Sequence, residues 1–170
     1  MAELLLTHGA NPELGAFENW VTNIRKGVKP MDHPDFSQIG RSQRNLLCQL
    51  AGNGNTAQVA VLLDAGFPID LGLWSTPLHA ACWNGRVETV RLLISRGAPV
   101  EAKDPNYHST PLGWTMHGSI NRKGSTPEDY VTIFESLIKA GARMPTVEEG
   151  YWQDPGSASP EIQEWLFARV

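Results

Sequence analysis

Long apolar runs, basic tracts and cysteine ladders are all missing from this chain of 170 residues. The longest apolar run near the start is Leu4-Leu5-Leu6, against the roughly 20 apolar residues that a membrane-spanning helix requires. No basic residue precedes that run, so it lacks the charged start of a secretory signal. The 14 Lys and Arg are scattered and the formal net charge is -4, so the basic stripe by which nucleic-acid binders hold phosphates is absent. Cysteine is confined to Cys48 and Cys82, with no CxxC pair. Such spacing offers neither a disulfide framework nor a zinc cluster and fits reduced thiols in the cytoplasm.

Signatures of chemistry are missing as well. The five histidines, at positions 8, 33, 79, 108 and 117, fall in different segments without ligand spacing, and no glycine-rich phosphate loop occurs. No nucleophile stands with a base at a recurring spacing. The acidic pairs Glu148-Glu149 and Glu161 with Glu164 fit solvated helix faces or helix starts. The residues therefore predict no enzyme, no metal site and no cofactor.

What is present is a period. Thr76-Pro77-Leu78 returns as Thr110-Pro111-Leu112, a shift of 34, and Gly97-Ala98 is echoed at Gly9-Ala10, Gly66 and Gly141-Ala142. In the best copy, residues 75 to 98, Thr76 is a natural N-cap and Pro77 suits the first helical position, where its missing N–H costs nothing. Ala80 and Ala81 are small enough for two helices to approach, and Asn84-Gly85 breaks the run. Val87, Val90, Leu93 and Ile94 then lie on one face of a second helix that ends at Gly97. Upstream, Asn45-Leu46-Leu47-Cys48 aligns with Thr76-Pro77-Leu78-His79 at a shift of 31. Downstream, Gly141 lies 44 residues after Gly97, which is ten more than the shift of 34, so an insertion falls at about Ser119 to Glu128. Its polar, turn-forming content predicts a projecting loop, after which Thr126-Pro127-Glu128 restarts a helix with Val131, Phe134, Leu137 and Ile138 as its apolar face.

Thr76-Pro77-Leu78-His79-Ala80-Ala81 with Gly85, Val90, Leu92-Leu93 and Gly97-Ala98 resembles an ankyrin repeat, whose usual length is about 33 residues. The resemblance implies an all-α solenoid in which a β-turn and two antiparallel helices form each unit and neighbours bury one another. Laid over the chain it gives one domain, residues 1–170: a partial repeat and N-terminal cap at 1–40, repeats at 41–70, 71–104 and 105–145 (the last with the insertion at 119–128), and a C-terminal cap at 146–170. The cap contains a helix from Ser159-Pro160 with Ile162, Trp165, Leu166 and Val170 aligned. The start, Ala2 to Ala10, is similar to the second helix of a unit whose first helix is absent, and residues 12–27 fit a further helix. The motif histidine stands once, at His79; Cys48 and Gly113 occupy its register in the neighbouring units, which implies that its bonds to adjacent loops are lost there.

The resemblance also implies a function: a non-catalytic module that binds another protein on the concave side, built from the turn tips and the exposed sides of the first helices. By register this selects Arg44 and Asn53, with Arg41 and Ser42, in the first full unit. It selects Leu73, Trp74, Trp83 and Asn84 in the second, and Asn106, Tyr107 and His117 in the third. Aromatic rings dominate the set, as in binding hot spots, whereas Trp114 falls in a column expected to be core. Two alternatives remain open: a small molecule or peptide end held in the aromatic groove beside the insertion, and self-association through the N-terminal edge, which would make the chain a weak dimer and not a monomer.

Overall fold

The computed structural model describes residues 44–121, 125–144 and 158–168. Among these the chain forms seven α-helices and no strand: α1 Leu46–Asn53, α2 Thr56–Asp64, α3 Pro77–Trp83, α4 Val87–Ser95, α5 Pro111–Asn121, α6 Pro127–Lys139 and α7 Pro160–Phe167. The two helices expected within residues 1–40 lie outside the described residues. This is the all-α solenoid that the repeat predicts.

Local chemistry starts and stops the helices. Thr76 and Thr126 each accept from the third helical N–H and have their own N–H accepted by that residue's side chain, His79 in one case and Asp129 in the other, with proline first in the helix both times. The second helices end alike. Gly66, Gly97 and Gly141 all carry positive φ, and the N–H of the residue after each bonds back five positions, Phe67 to Leu62, Ala98 to Leu93 and Ala142 to Leu137. That left-handed closure is what glycine permits without steric cost.

Helices α1, α3 and α5 stack in one row, and α2, α4, α6 and α7 in a second row behind it. The core consists of columns running through the stack. Leu47, Leu78 and Leu112 form one, Val59, Val90 and Phe134 a second, and Leu62, Leu93 and Leu137 a third, all buried. Each member repeats at the sequence period, so one apolar position per unit becomes a continuous seam; a fully buried leucine contributes about 1.5–3 kcal/mol. Ile94, Val131 and Ile138 are half-buried, and in α6 it is Tyr130 and Ile133 that join Phe134 and Leu137 inside.

Part of the insertion in the third unit is helical: residues 119–121 end α5 and residues 127–128 begin α6. Both helices are longer than their counterparts, α5 with 11 residues where α3 has 7 and α6 with 13 where α4 has 9, and residues 122–124 between them lie outside the described residues. The added turns carry contacts. Ser119 Oγ accepts the Ser159 N–H at 2.9 Å, tying the C-terminal helix to α5, while Trp165 packs edge-on against Phe134 and donates to Glu135. Ile162 is buried, whereas the Leu166 side chain and Val170 are outside the described residues.

Small residues set the distance between first helices. A Cβ on Gly118 would stand 2.5 Å from the Trp83 carbonyl oxygen and 3.0 Å from the Tyr130 ring, whereas one on Gly52 would meet Asn84 Nδ2 at 3.1 Å. Gly118→Ala is therefore expected to push α5 off α3, costing about 1–3 kcal/mol and lowering the midpoint of thermal unfolding by several degrees. Circular dichroism melts check this, and an unchanged melting temperature would contradict the close approach.

Candidate functional site

The turn before α5 is organised by one carboxylate. Asp104 is buried; its Oδ1 accepts the N–H groups of Asn106 (2.9 Å) and Tyr107 (2.7 Å), and its Oδ2 accepts the Ser109 N–H (3.0 Å) and the Trp114 indole N–H (3.0 Å). Burial alone would raise its pKa, but the donors Tyr107, Trp114, Ser109 and Asn106 together hold it below the ordinary carboxylate value. The turn stays closed although His108 adopts φ 52, a left-handed conformation that costs a non-glycine residue about 1–2 kcal/mol. Asp104 also accepts the His108 N–H on its backbone carbonyl, and its own N–H bonds the Ser109 carbonyl.

His79 fastens this turn to the preceding unit. Its Nδ1 accepts the Thr76 N–H at 3.2 Å, which leaves Nε2 as the protonated nitrogen, and Nε2 donates to the Ser109 carbonyl at 3.0 Å. The ring is fully buried, and that burial depresses its pKa below the ordinary histidine value despite the nearby Ser109 carbonyl and Asp104 charge.

One unit upstream the expected loss of this bond is overturned. Cys48 stands in the register of His79, and its Sγ donates to the Ser75 carbonyl at 3.3 Å, the position that corresponds to Ser109. A second carbonyl, that of Leu71, lies at 3.7 Å. The thiol keeps its proton because burial raises its pKa to about 12. Gly72 makes room: a Cβ there would stand 1.8 Å from the Ser75 carbonyl oxygen and 2.9 Å from the sulfur. Cys82 is likewise buried; burial raises its pKa to about 12, against the opposing effect of a hydrogen bond with the Thr115 side chain.

Trp114 is half-buried and does not enter the core as expected. Its indole N–H is held by Asp104, so the ring is anchored at the surface between His79, at 5.3 Å and 70°, and Trp83, at 5.7 Å and 71°. Edge-on packing of this kind is favourable for aromatic rings and leaves one face of the assembly to solvent.

The register-selected residues divide accordingly. Trp74 is 60% exposed and Tyr107 77% exposed, each at the tip of the turn preceding a first helix. Asn53, Asn106 and His117 are exposed too. Leu73, Trp83, Asn84 and Arg44 are half-buried; Trp83 leans on Trp114, and the Asn84 amide donates to the Ala80 carbonyl at 2.8 Å. Arg41 and Ser42 lie outside the described residues. Thus Trp83 and Trp114 share one cluster, while Trp74 and Tyr107 stand out at separate tips. Asp104 escaped selection, although an Asp-Pro-Asn run before a helix start is a recognisable turn signal.

The far ends of the first helices look different. Between the connections 53–56, 84–89 and 125–129 lies an open polar depression of about 280 Å³, lined by Asn53, Thr56, Arg86, Glu88, Thr89 and Asp129 among others. No group of three or more His, Cys, Asp or Glu side chains able to hold a metal ion occurs among the described residues, and none of their helices is long and apolar enough to cross a membrane.

Paired helices in two rows, closed by glycine and joined turn to helix, define a helical-repeat solenoid. Residues 74–105 match the family model of the ankyrin repeat, in agreement with the resemblance read from the sequence. Inversin of Danio rerio is 31% identical over 97 residues, which is 55% of this chain. The match spans 9% of the length of inversin.

The buried His79 makes the inter-unit link sensitive to acid. With the folded pKa below 6.5 and the unfolded ring near that ordinary value, the unfolded chain takes up the proton first. Stability is at its full value above pH 6.5 and falls as the pH drops through the folded pKa. Chemical denaturation between pH 7.5 and 5 reads this loss, and His79→Gln, which cannot be protonated, is expected to flatten that part of the curve. An equally steep curve in the variant would contradict it.

Proposed function

We propose that this ankyrin-repeat chain is a non-catalytic module that binds another protein through the face formed by its turn tips and the exposed sides of α1, α3 and α5. Repeats of this family generally mediate protein–protein interaction, and that is the coarse statement the match supports. The single observation that carries the finer one is the pairing of two projecting rings, Trp74 and Tyr107, with the anchored Trp83–Trp114 cluster. Rings fixed before binding lose little conformational entropy on contact, and Trp and Tyr are the residues around which hot spots form. The binding set is Arg44, Asn53, Leu73, Trp74, Trp83, Asn84, Asn106, Tyr107 and His117.

On this reading residues 1–170 act as one domain, with repeats at 41–70, 71–104 and 105–145 between the two caps, as a monomer or weak dimer in the cytoplasm. Two buried, protonated thiols agree with a reducing compartment.

Affinity capture from cells expressing the chain tests the face. Trp74→Ala with Tyr107→Ala removes two exposed rings without touching the core, and partners should be recovered at least about tenfold less, the equivalent of roughly 1.4 kcal/mol. Arg91→Ala, exposed on α4 in the rear row, serves as the control and should capture normally. Equal recovery by the double variant would overturn the proposal.

A further inference from the structure

The three front helices carry no charged side chain. The sequences of α1, α3 and α5 together hold 26 residues without an Asp, Glu, Lys or Arg. Burial accounts for part of this, since 15 of the 26 are buried, but the exposed positions are free of acidic and basic side chains as well. Gln49, Asn53, His117, Ile120 and Asn121 are exposed, yet all are uncharged. The rear helices, by contrast, expose Asp64, Glu88, Arg91, Glu128, Glu135 and Lys139. Charge returns to the front at its margin, in the turns, with Asp70, Glu101 and Lys103 exposed and Arg44 half-buried.

We propose that the element bound on this face is an extended, uncharged peptide segment of the partner protein. The inference rests on the binding function above and narrows it. A charged side chain brought onto α1, α3 and α5 would lose its water and find no opposite charge, a penalty of several kcal/mol that selects against such partners. What the face does offer is amides and an indole N–H. Gln49 and Asn53 are exposed on α1, and the half-buried Trp83 carries an indole N–H. Amide and indole groups pair with backbone N–H and C=O groups, which an extended segment presents and a helix has already used internally. The Trp83–Trp114 corner then receives an apolar side chain of that segment, and the charged margin takes the place of the polar rim that surrounds a dry interface centre.

The test is selection of a random 12-residue peptide library, displayed on phage, against the intact chain. Enriched peptides are expected to lack Asp, Glu, Lys and Arg at their shared central positions. A capped synthetic copy should bind with a dissociation constant that changes less than about twofold between roughly 50 and 500 mM NaCl, since nothing in the contact is there to be screened. Trp83→Phe keeps the ring packing and removes the N–H donor, and Gln49→Glu with Asn53→Asp adds charge at exposed positions; each should weaken that peptide about tenfold while leaving the melting temperature unchanged.

Enriched peptides that share a charged residue and bind tenfold more weakly in high salt, yet still depend on Trp83, would overturn the uncharged class and leave the binding face standing. Enrichment indifferent to Trp83→Phe and to Trp74→Ala with Tyr107→Ala would overturn both. Absence of any enrichment would overturn this inference alone, because partner capture tests the face independently.

Discussion

Backbone carbonyls left bare by one unit and satisfied by the next govern this structure. A short helix cannot bond its last carbonyls internally, and a turn tip leaves others open. Several such oxygens are met across the unit boundary. Gly52 O receives Arg86 Nε at 3.1 Å, and Trp83 O, its counterpart one unit on, receives the Tyr130 hydroxyl at 3.1 Å. Ser75 O receives the Cys48 thiol and Ser109 O the His79 ring. Because front helices of only 7 to 11 residues are marginal alone, these bonds and the apolar columns must form together. No unit is complete without its neighbour.

The chemistry that fills each position varies while the demand stays fixed. A guanidinium and a phenol serve the same helix-end carbonyl, and a thiol and an imidazole serve the same turn carbonyl. The last substitution is not equivalent under acid: the thiol holds its proton throughout, whereas the imidazole gains one, so the two inter-unit links respond differently to pH. The lengthened third unit follows the same logic. Ser125 from the longer connection donates to the Asn84 carbonyl at 2.9 Å, and the added turn of α5 brings Ser119 to the C-terminal cap.

That scaffold also fixes the candidate site. Asp104 closes the turn, His79 locks the turn to α3, and the same carboxylate holds the Trp114 indole that supports Trp83. The Trp83–Trp114 cluster thus shares its hydrogen bonds with the joints of the stack. At Asp104 the joint of the stack and the candidate site depend on one carboxylate.

Much of this was legible in the residues. The periods of 31 and 34 between Leu47, Leu78 and Leu112 and the Thr-Pro starts fix helices, caps and core columns, because side-chain period and capping chemistry are local properties. Register likewise found Trp74 and Tyr107, whose exposure follows from sitting in turns. Tertiary packing decided what local rules cannot reach. It placed residues 119–121 and 127–128 in helix ends and gave Ser119 and Ser125 partners some 40 residues away. It brought Cys48 to a carbonyl 27 residues on and kept Trp114 at the surface through a bond to Asp104. Propensity weighs a residue against its own neighbours in the chain, whereas a hydrogen bond between units rewards a conformation only after the stack has formed.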